Sequence, residues 1–177
     1  VSGGDTVSHV KGTMVKTTAA TSKFTFPLGD GTQYKAISIT PQNGTSTEWS
    51  AKYFNTAYSS TTLSSGNAAD IDHVSTYEYW DLDRTGSDAA KVEIPWVVLN
   101  EVQSYADLRL AHWDGSAWEN IDASTAGGSN SSGNLTSTGY QSSFSPFTLA
   151  SSTSTNVLPI ELVSFSGEKK DNRNILN

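Results

Sequence analysis

The acidic residues Glu78, Asp81, Asp83, Glu93 and Glu119 stand near aromatic side chains in a sequence otherwise rich in Ser, Thr, Gly and Asn. Carboxylates beside aromatics are the equipment of glycoside hydrolysis, which needs two carboxyls about 5 Å or about 6.5–9.5 Å apart across a sugar. Spacing along the chain sets no such separation, and the same residues commonly line solvated sheet faces. Serine is abundant, yet no Gly-x-Ser-x-Gly elbow occurs, and His9, His73 and His112 lie in unrelated contexts. His73, in Asp70-Ile-Asp72-His73, reads as a loop cap before it reads as a metal ligand. His112, beside Trp113, reads as a packing or hydrogen-bonding residue. No HExxH pattern points to zinc, and the absence of cysteine excludes disulfides, thiolate chemistry and Cys-ligated metals. The expectation is a protein without a catalytic centre, with a carbohydrate-active enzyme as the weaker alternative.

Binding chemistry is better represented. Asp81-Leu-Asp83-Arg-Thr-Gly-Ser-Asp88 alternates acidic residues into a glycine turn, offering hard oxygen ligands, so Asp81, Asp83 and Asp88 are the candidate calcium ligands. The loop lacks a later glutamate and carries Arg84, so a charged hairpin in which Arg84 pairs with Asp81 or Asp88 competes with that reading. Five tryptophans are many for 177 residues. Sugars stack C–H faces on exposed rings while polar groups bond their hydroxyls. Leu and Met are sparse, so most tryptophans must fill the core. Period-two parity along 77–82 puts Trp80 with Leu82 and Glu78 on one face, and Tyr77 and Tyr79 with Asp81 on the other. Tyr77 and Tyr79 are therefore the site-like pair, and Trp49 and Trp118 are the tryptophans expected at the surface. These four are the candidate glycan contacts.

Short alternating segments position these residues. Val7 to Lys16 alternates loosely, Phe24 and Phe26 share a face, and 34–40 (YKAISIT) sets Tyr34, Ala36 and Ser38 opposite Lys35, Ile37 and Ile39. Further strands are read over Trp49 to Tyr58, Ile71 to Leu82 and Lys91 to Leu99, where Pro95 marks an edge or bulge. Leu108 to Ile121 reads as a hairpin turning at Asp114-Gly115, 126–134 as a polar loop, and Phe144 to Leu149 as a last strand. Leu99 to Leu108 is the nearest approach to a helical turn. Eight to ten such segments predict an all-β fold, an antiparallel β-sandwich of jelly-roll-like form.

Length suits one such domain over residues 1–150. Ala-Ser-Ser-Thr-Ser-Thr-Asn has linker composition, placing a linker at 151–156. Residues 157–177 read as an incomplete first strand of a following domain or a frayed tail. A net charge of −7 with scattered lysines argues against nucleic acid. No apolar run approaches the roughly 20 residues of a membrane helix. The first residue is Val1, which fits a processed or excised piece.

LPIELVSFSGEKKDNRNILN resembles the segment preceding the C-terminal domain that the type IX secretion system recognises in secreted Bacteroidetes proteins. Upstream, FTFPLGDGTQYKAISI, EYWDLDRTGSDAAKVEIPW, LRLAHWDGSAWENI and FSPFTLAS, in that order, are similar to a module found before that segment in large surface proteins. The resemblance implies export to the outer surface and a place beside other domains of the same chain. It implies no particular ligand. Together the residues and the resemblance lead to the expectation of a monomeric, non-catalytic extracellular module that binds a polysaccharide or surface glycan. A structural spacer without a ligand is the competing expectation.

Overall fold

The computed structural model of the chain describes residues 3–65, 70–97, 102–156, 158, 167–170 and 173–176. Its strands form two antiparallel sheets packed face to face, the β-sandwich expected from the alternating segments. The seven-stranded sheet runs β1 (Met14–Thr18), β4 (Thr47–Phe54), β6 (Tyr79–Thr85), β12 (Pro146–Ser151), β8 (Leu108–Trp113) and β9 (Trp118–Asn120), with β5 (His73–Val74) pairing the end of β12. The five-stranded sheet runs β10 (Ala123–Ser129), β11 (Ser132–Ser137), β7 (Ala90–Val97), β3 (Ile37–Pro41) and β2 (Phe24–Phe26). A separate hairpin, β13 (Gly167–Lys170) with β14 (Arg173–Leu176), occupies part of the segment read as a frayed tail. The apolar run 159–165 lies outside the described residues.

Period-two alternation sorts each strand. On β7, Ala90, Val92, Ile94 and Trp96 point into the core while Lys91, Glu93, Pro95 and Val97 face outward. On β6, Trp80 and Leu82 are buried while Tyr79, Asp81 and Asp83 face out. Trp49, Trp80, Trp96, Phe26 and Phe147 supply the bulk that scarce leucine does not. Truncating one such ring costs about 3–5 kcal/mol.

The core also holds an ion pair between the sheets. Lys35 Nζ lies 2.8 Å from Glu78 Oε2, and both side chains are removed from solvent. The Tyr53 hydroxyl donates to the same Glu78 oxygen at 2.7 Å. Burial, then the Glu78 carboxylate, holds the Tyr53 phenol far above the usual tyrosine range, so it stays a donor.

Several segments depart from the sequence reading. Trp118, expected at the surface, is buried in a second small core with Ile71, Val74, Ala111 and Ala150 on the outer face of the larger sheet. Loop residues cover it: its indole N–H donates to Ser60 O at 2.7 Å, and its backbone pairs with Thr62 and Ser64. Trp49 is also buried, edge-on to Phe144 at 5.0 Å. The polar stretch 126–134 belongs to the β10–β11 hairpin rather than a loop. Glycine is required there, because a Cβ at Gly133 would sit 2.2 Å from the Trp96 ring. The expected linker at 151–156 is tied to the module: Asn156 is buried and its Oδ1 accepts the backbone N–H groups of Gln103 and Ser104. Leu158 joins the main core. The helical turn read near Leu99–Leu108 is present as a 3-10 turn at Tyr105–Asp107, and Val7 is fully exposed ahead of β1. No helix among the described residues is long and apolar enough to cross a membrane.

Candidate functional site

Pro95 lies on a central strand, not at the edge or bulge its type predicts, and the way β7 accommodates it opens a groove. β3 pairs with β7 from Pro41–Ala90 to Ser38–Glu93 and stops there. Continued in the same register, the ladder would set Ala36 opposite Pro95 and Tyr34 opposite Val97. Proline brings no N–H to a ladder, and the chain at 34–36 turns toward 28–29 instead. Lys35 N–H donates to Leu28 O at 2.8 Å, and Gly29 bridges Tyr34. The Trp80 indole holds the Lys35 carbonyl at 2.9 Å, and the Lys35 side chain runs into the core to Glu78. Because Lys35 points inward, its neighbours Tyr34 and Ala36 point outward.

The result is a groove of about 430 Å³ on the outer face of the five-stranded sheet, within the size range of small-ligand sites. Tyr34, Ala36, Pro95 and Val97 give it an apolar strip. Lys23, Thr25, Ser38, Glu93, Ser132 and Asn134 surround that strip with polar groups. Glu93 Oε1 pairs with Lys23 Nζ at 2.5 Å, and its Oε2 accepts the Thr136 hydroxyl at 3.0 Å. The Thr25 and Ser38 hydroxyls lie 2.9 Å apart. Desolvation at the groove rim raises the Tyr34 phenol above its ordinary value, with Asp5 acting in the same direction and a Gly4 backbone bond opposing it. The arrangement offers an apolar seat with hydroxyl, amide and paired-charge partners around it.

The sequence-predicted residues lie elsewhere. Trp49 and Trp118 are enclosed, as described above. Tyr79 is half-buried on the opposite face, stacked on Phe54 with ring centroids 4.5 Å apart and met by Tyr58 at 5.2 Å. Lys52 Nζ sits over Phe54 at 4.3 Å, and Tyr58 continues the strip to Trp113 and Trp118. This strip packs its rings against one another, so a sugar would have to displace Lys52 or Tyr58 to stack there. Tyr77 precedes β6, and its hydroxyl accepts Gln33 Nε2 at 3.1 Å.

The three aspartates are not gathered. Asp81 and Asp83 stand exposed on β6, whereas Asp88 is buried. Asp88 Oδ1 accepts the Asn43 backbone and side-chain N–H groups at 3.0 and 3.2 Å, and its Oδ2 accepts Thr45 N–H at 3.1 Å. Arg84 donates to the Asp88 carbonyl rather than pairing with its carboxylate. Among the described residues no group of three or more acidic, His or Cys side chains is placed to hold a metal ion. Asp81 is nonetheless perturbed: partial desolvation first, then the charge of Asp83, raise its carboxyl, and Lys52 acts against them.

His112 stands in a hydroxyl–imidazole–carboxylate chain. His112 Nε2 lies 2.9 Å from Ser145 Oγ, and Nδ1 lies 3.1 Å from Glu119 Oε1. That spacing matches a hydrolytic triad, but the Ser145 hydroxyl donates to the Trp113 carbonyl. The chain fastens the start of β12 to β8, and His112 packs on Phe147 at 4.9 Å. His73 bonds its neighbour Asp72 at 3.0 Å beside a second cavity of about 460 Å³ that Leu63, Val74 and Leu158 also line.

Lys23, Thr25, Tyr34 and Asn134 are groove residues that motif reasoning passed over. Of these only Tyr34 carries a signal, parity: Tyr34, Ala36 and Ser38 alternate against two isoleucines, so a core-facing Ile37 and Ile39 require the other three to face out. No family model, no curated protein and no solved structure matches this chain.

Proposed function

We propose that this chain is a non-catalytic extracellular module that binds a glycan, in the groove between Pro95–Val97 and residues 34–36. The observation that carries the reading is the groove itself. A ladder interrupted at a proline leaves an apolar strip rimmed by hydroxyl, amide and charged groups, the mixture that sugar recognition needs. The resemblance of the C-terminal segment to a pre-sorting region supports a place on a secreted or surface-anchored multidomain protein. Retention of the chain on a panel of soluble and insoluble polysaccharides tests the reading. Binding to one polysaccharide that is lost in Tyr34→Ala and Asn134→Ala, and kept in Phe54→Ala, supports it. Binding lost in Phe54→Ala and kept in Tyr34→Ala would transfer the site to the other face.

A second reading, a spacer that binds nothing, has its own observation: Trp49, Trp80, Trp96 and Trp118 are all buried, leaving Trp113 half-buried. A stable fold retained by no polysaccharide favours the spacer.

A further inference from the structure

The chemistry lining the groove narrows the ligand class, and this step rests on the glycan-binding reading above. Lys23 and Glu93 are the charged residues that line it, and they sit on each other at 2.5 Å. The second Glu93 oxygen is engaged by Thr136. The groove therefore presents no uncompensated formal charge. Its remaining polar side chains are the Thr25, Tyr34, Ser38 and Ser132 hydroxyls and the Asn134 amide, all of which can donate and accept. The chain as a whole carries a net charge of −7, which repels a polyanion at long range. Thr25, Ser38, Glu93 and Asn134 come from β2, β3, β7 and β11, neighbours in the sheet, while Lys23, Tyr34 and Ala36 lie just ahead of β2 and β3. Crossing four strands at about 4.8 Å spacing spans roughly 14 Å, the reach of a short oligosaccharide lying across them.

We infer that the groove selects neutral glycans laid across the strands and rejects uronate-containing ones. The C–H faces of the sugar rest on Tyr34, Ala36 and Pro95. The ring hydroxyls exchange hydrogen bonds with Asn134, Thr25 and the Lys23–Glu93 pair. The selectivity is held by that pair: without the Glu93 charge, Lys23 becomes a free cation in the groove.

Affinity electrophoresis of the whole chain in gels containing a neutral β-glucan, a neutral mannan, a neutral xylan or polygalacturonate tests this. The expected result is retardation by at least one neutral polymer and none by polygalacturonate. The neutral interaction should change by less than about twofold up to about 1 M salt, where the Debye length is ~3 Å. Glu93→Gln, close in shape to the original, should gain retardation by polygalacturonate that disappears at high salt. Wild-type binding to polygalacturonate that salt abolishes would overturn neutral selectivity while leaving glycan binding intact. A Glu93→Gln chain that is folded by circular dichroism and still ignores polygalacturonate would overturn the role given to the pair. No retardation by any polymer would overturn the glycan-binding reading and this inference with it.

Discussion

Replacing Lys35 with Met keeps most of the side-chain volume and removes one charge from a pair enclosed between the two sheets. The carboxylate left behind is fully buried, with Tyr53 still donating to it at 2.7 Å. Removing one partner of a buried pair costs about 3–5 kcal/mol, because the other charge cannot regain its hydration. For a domain of this size each kcal/mol shifts the melting temperature by about 2–4 °C, so Lys35→Met should melt roughly 6–20 °C lower. Glu78→Leu alone, leaving a buried ammonium, should fall by a similar amount. The double variant should recover most of the loss, since a buried pair exchanged for apolar groups is often neutral or stabilising. Circular dichroism melts of the four proteins measure all of this. A Lys35→Met chain melting within about 2 °C of wild type would show that the pair is not enclosed as described. A double variant with simply additive losses would show that the two residues do not act on each other.

Single carboxylates give three further expected outcomes. Asp88→Ala leaves the N–H groups at Asn43 and Thr45 without their acceptor, a loss of about 3 kcal/mol that a thermal melt reads as a fall of roughly 6–12 °C; chelation of divalent ions should leave the wild-type melt unchanged, because the carboxylate is engaged by the protein. Asp81 is held above its ordinary range by partial desolvation and by Asp83, so its protonated form favours the fold. That contribution is complete below the unfolded value near 3.9 and is lost as pH rises through the higher folded value. Asp81→Asn should therefore raise the melting temperature at pH 7, by up to about 2 °C for an exposed position, and the advantage should vanish near pH 3; a gain that persists there would contradict the sign.

Parity made much of the sandwich legible. The alternation of 79–82 correctly sent Trp80 and Leu82 inward and Tyr79 and Asp81 outward, and Asp114-Gly115 marked the turn between β8 and β9. Parity puts Lys35 on the same face as Ile37 and Ile39, but the partner that allows a lysine into the core lies far along the chain at Glu78. The burial of Trp118 is not legible in the sequence because its cover is a polar Ser/Thr loop, which carries no periodic signal of packing. The β10–β11 hairpin is hidden for a related reason: Gly128 and Gly133 answer to the Trp96 ring, not to a turn. The candidate site was least legible of all. Pro95 was noticed, but a groove arises only when its strand neighbour diverges, and that divergence is fixed by Leu28, Trp80 and Glu78 together.

On the reading proposed above, the groove beside Pro95, not the Phe54–Tyr79 strip, receives the glycan. An amide NMR titration of the whole chain with an oligosaccharide from whichever neutral polymer retains it tests that claim most directly. Shifts are expected to cluster at residues 23–25, 34–38, 93–97 and 132–136, with 52–58 and 79–83 unmoved. Shifts confined to 52–58 and 79–83, with the groove silent, would contradict it.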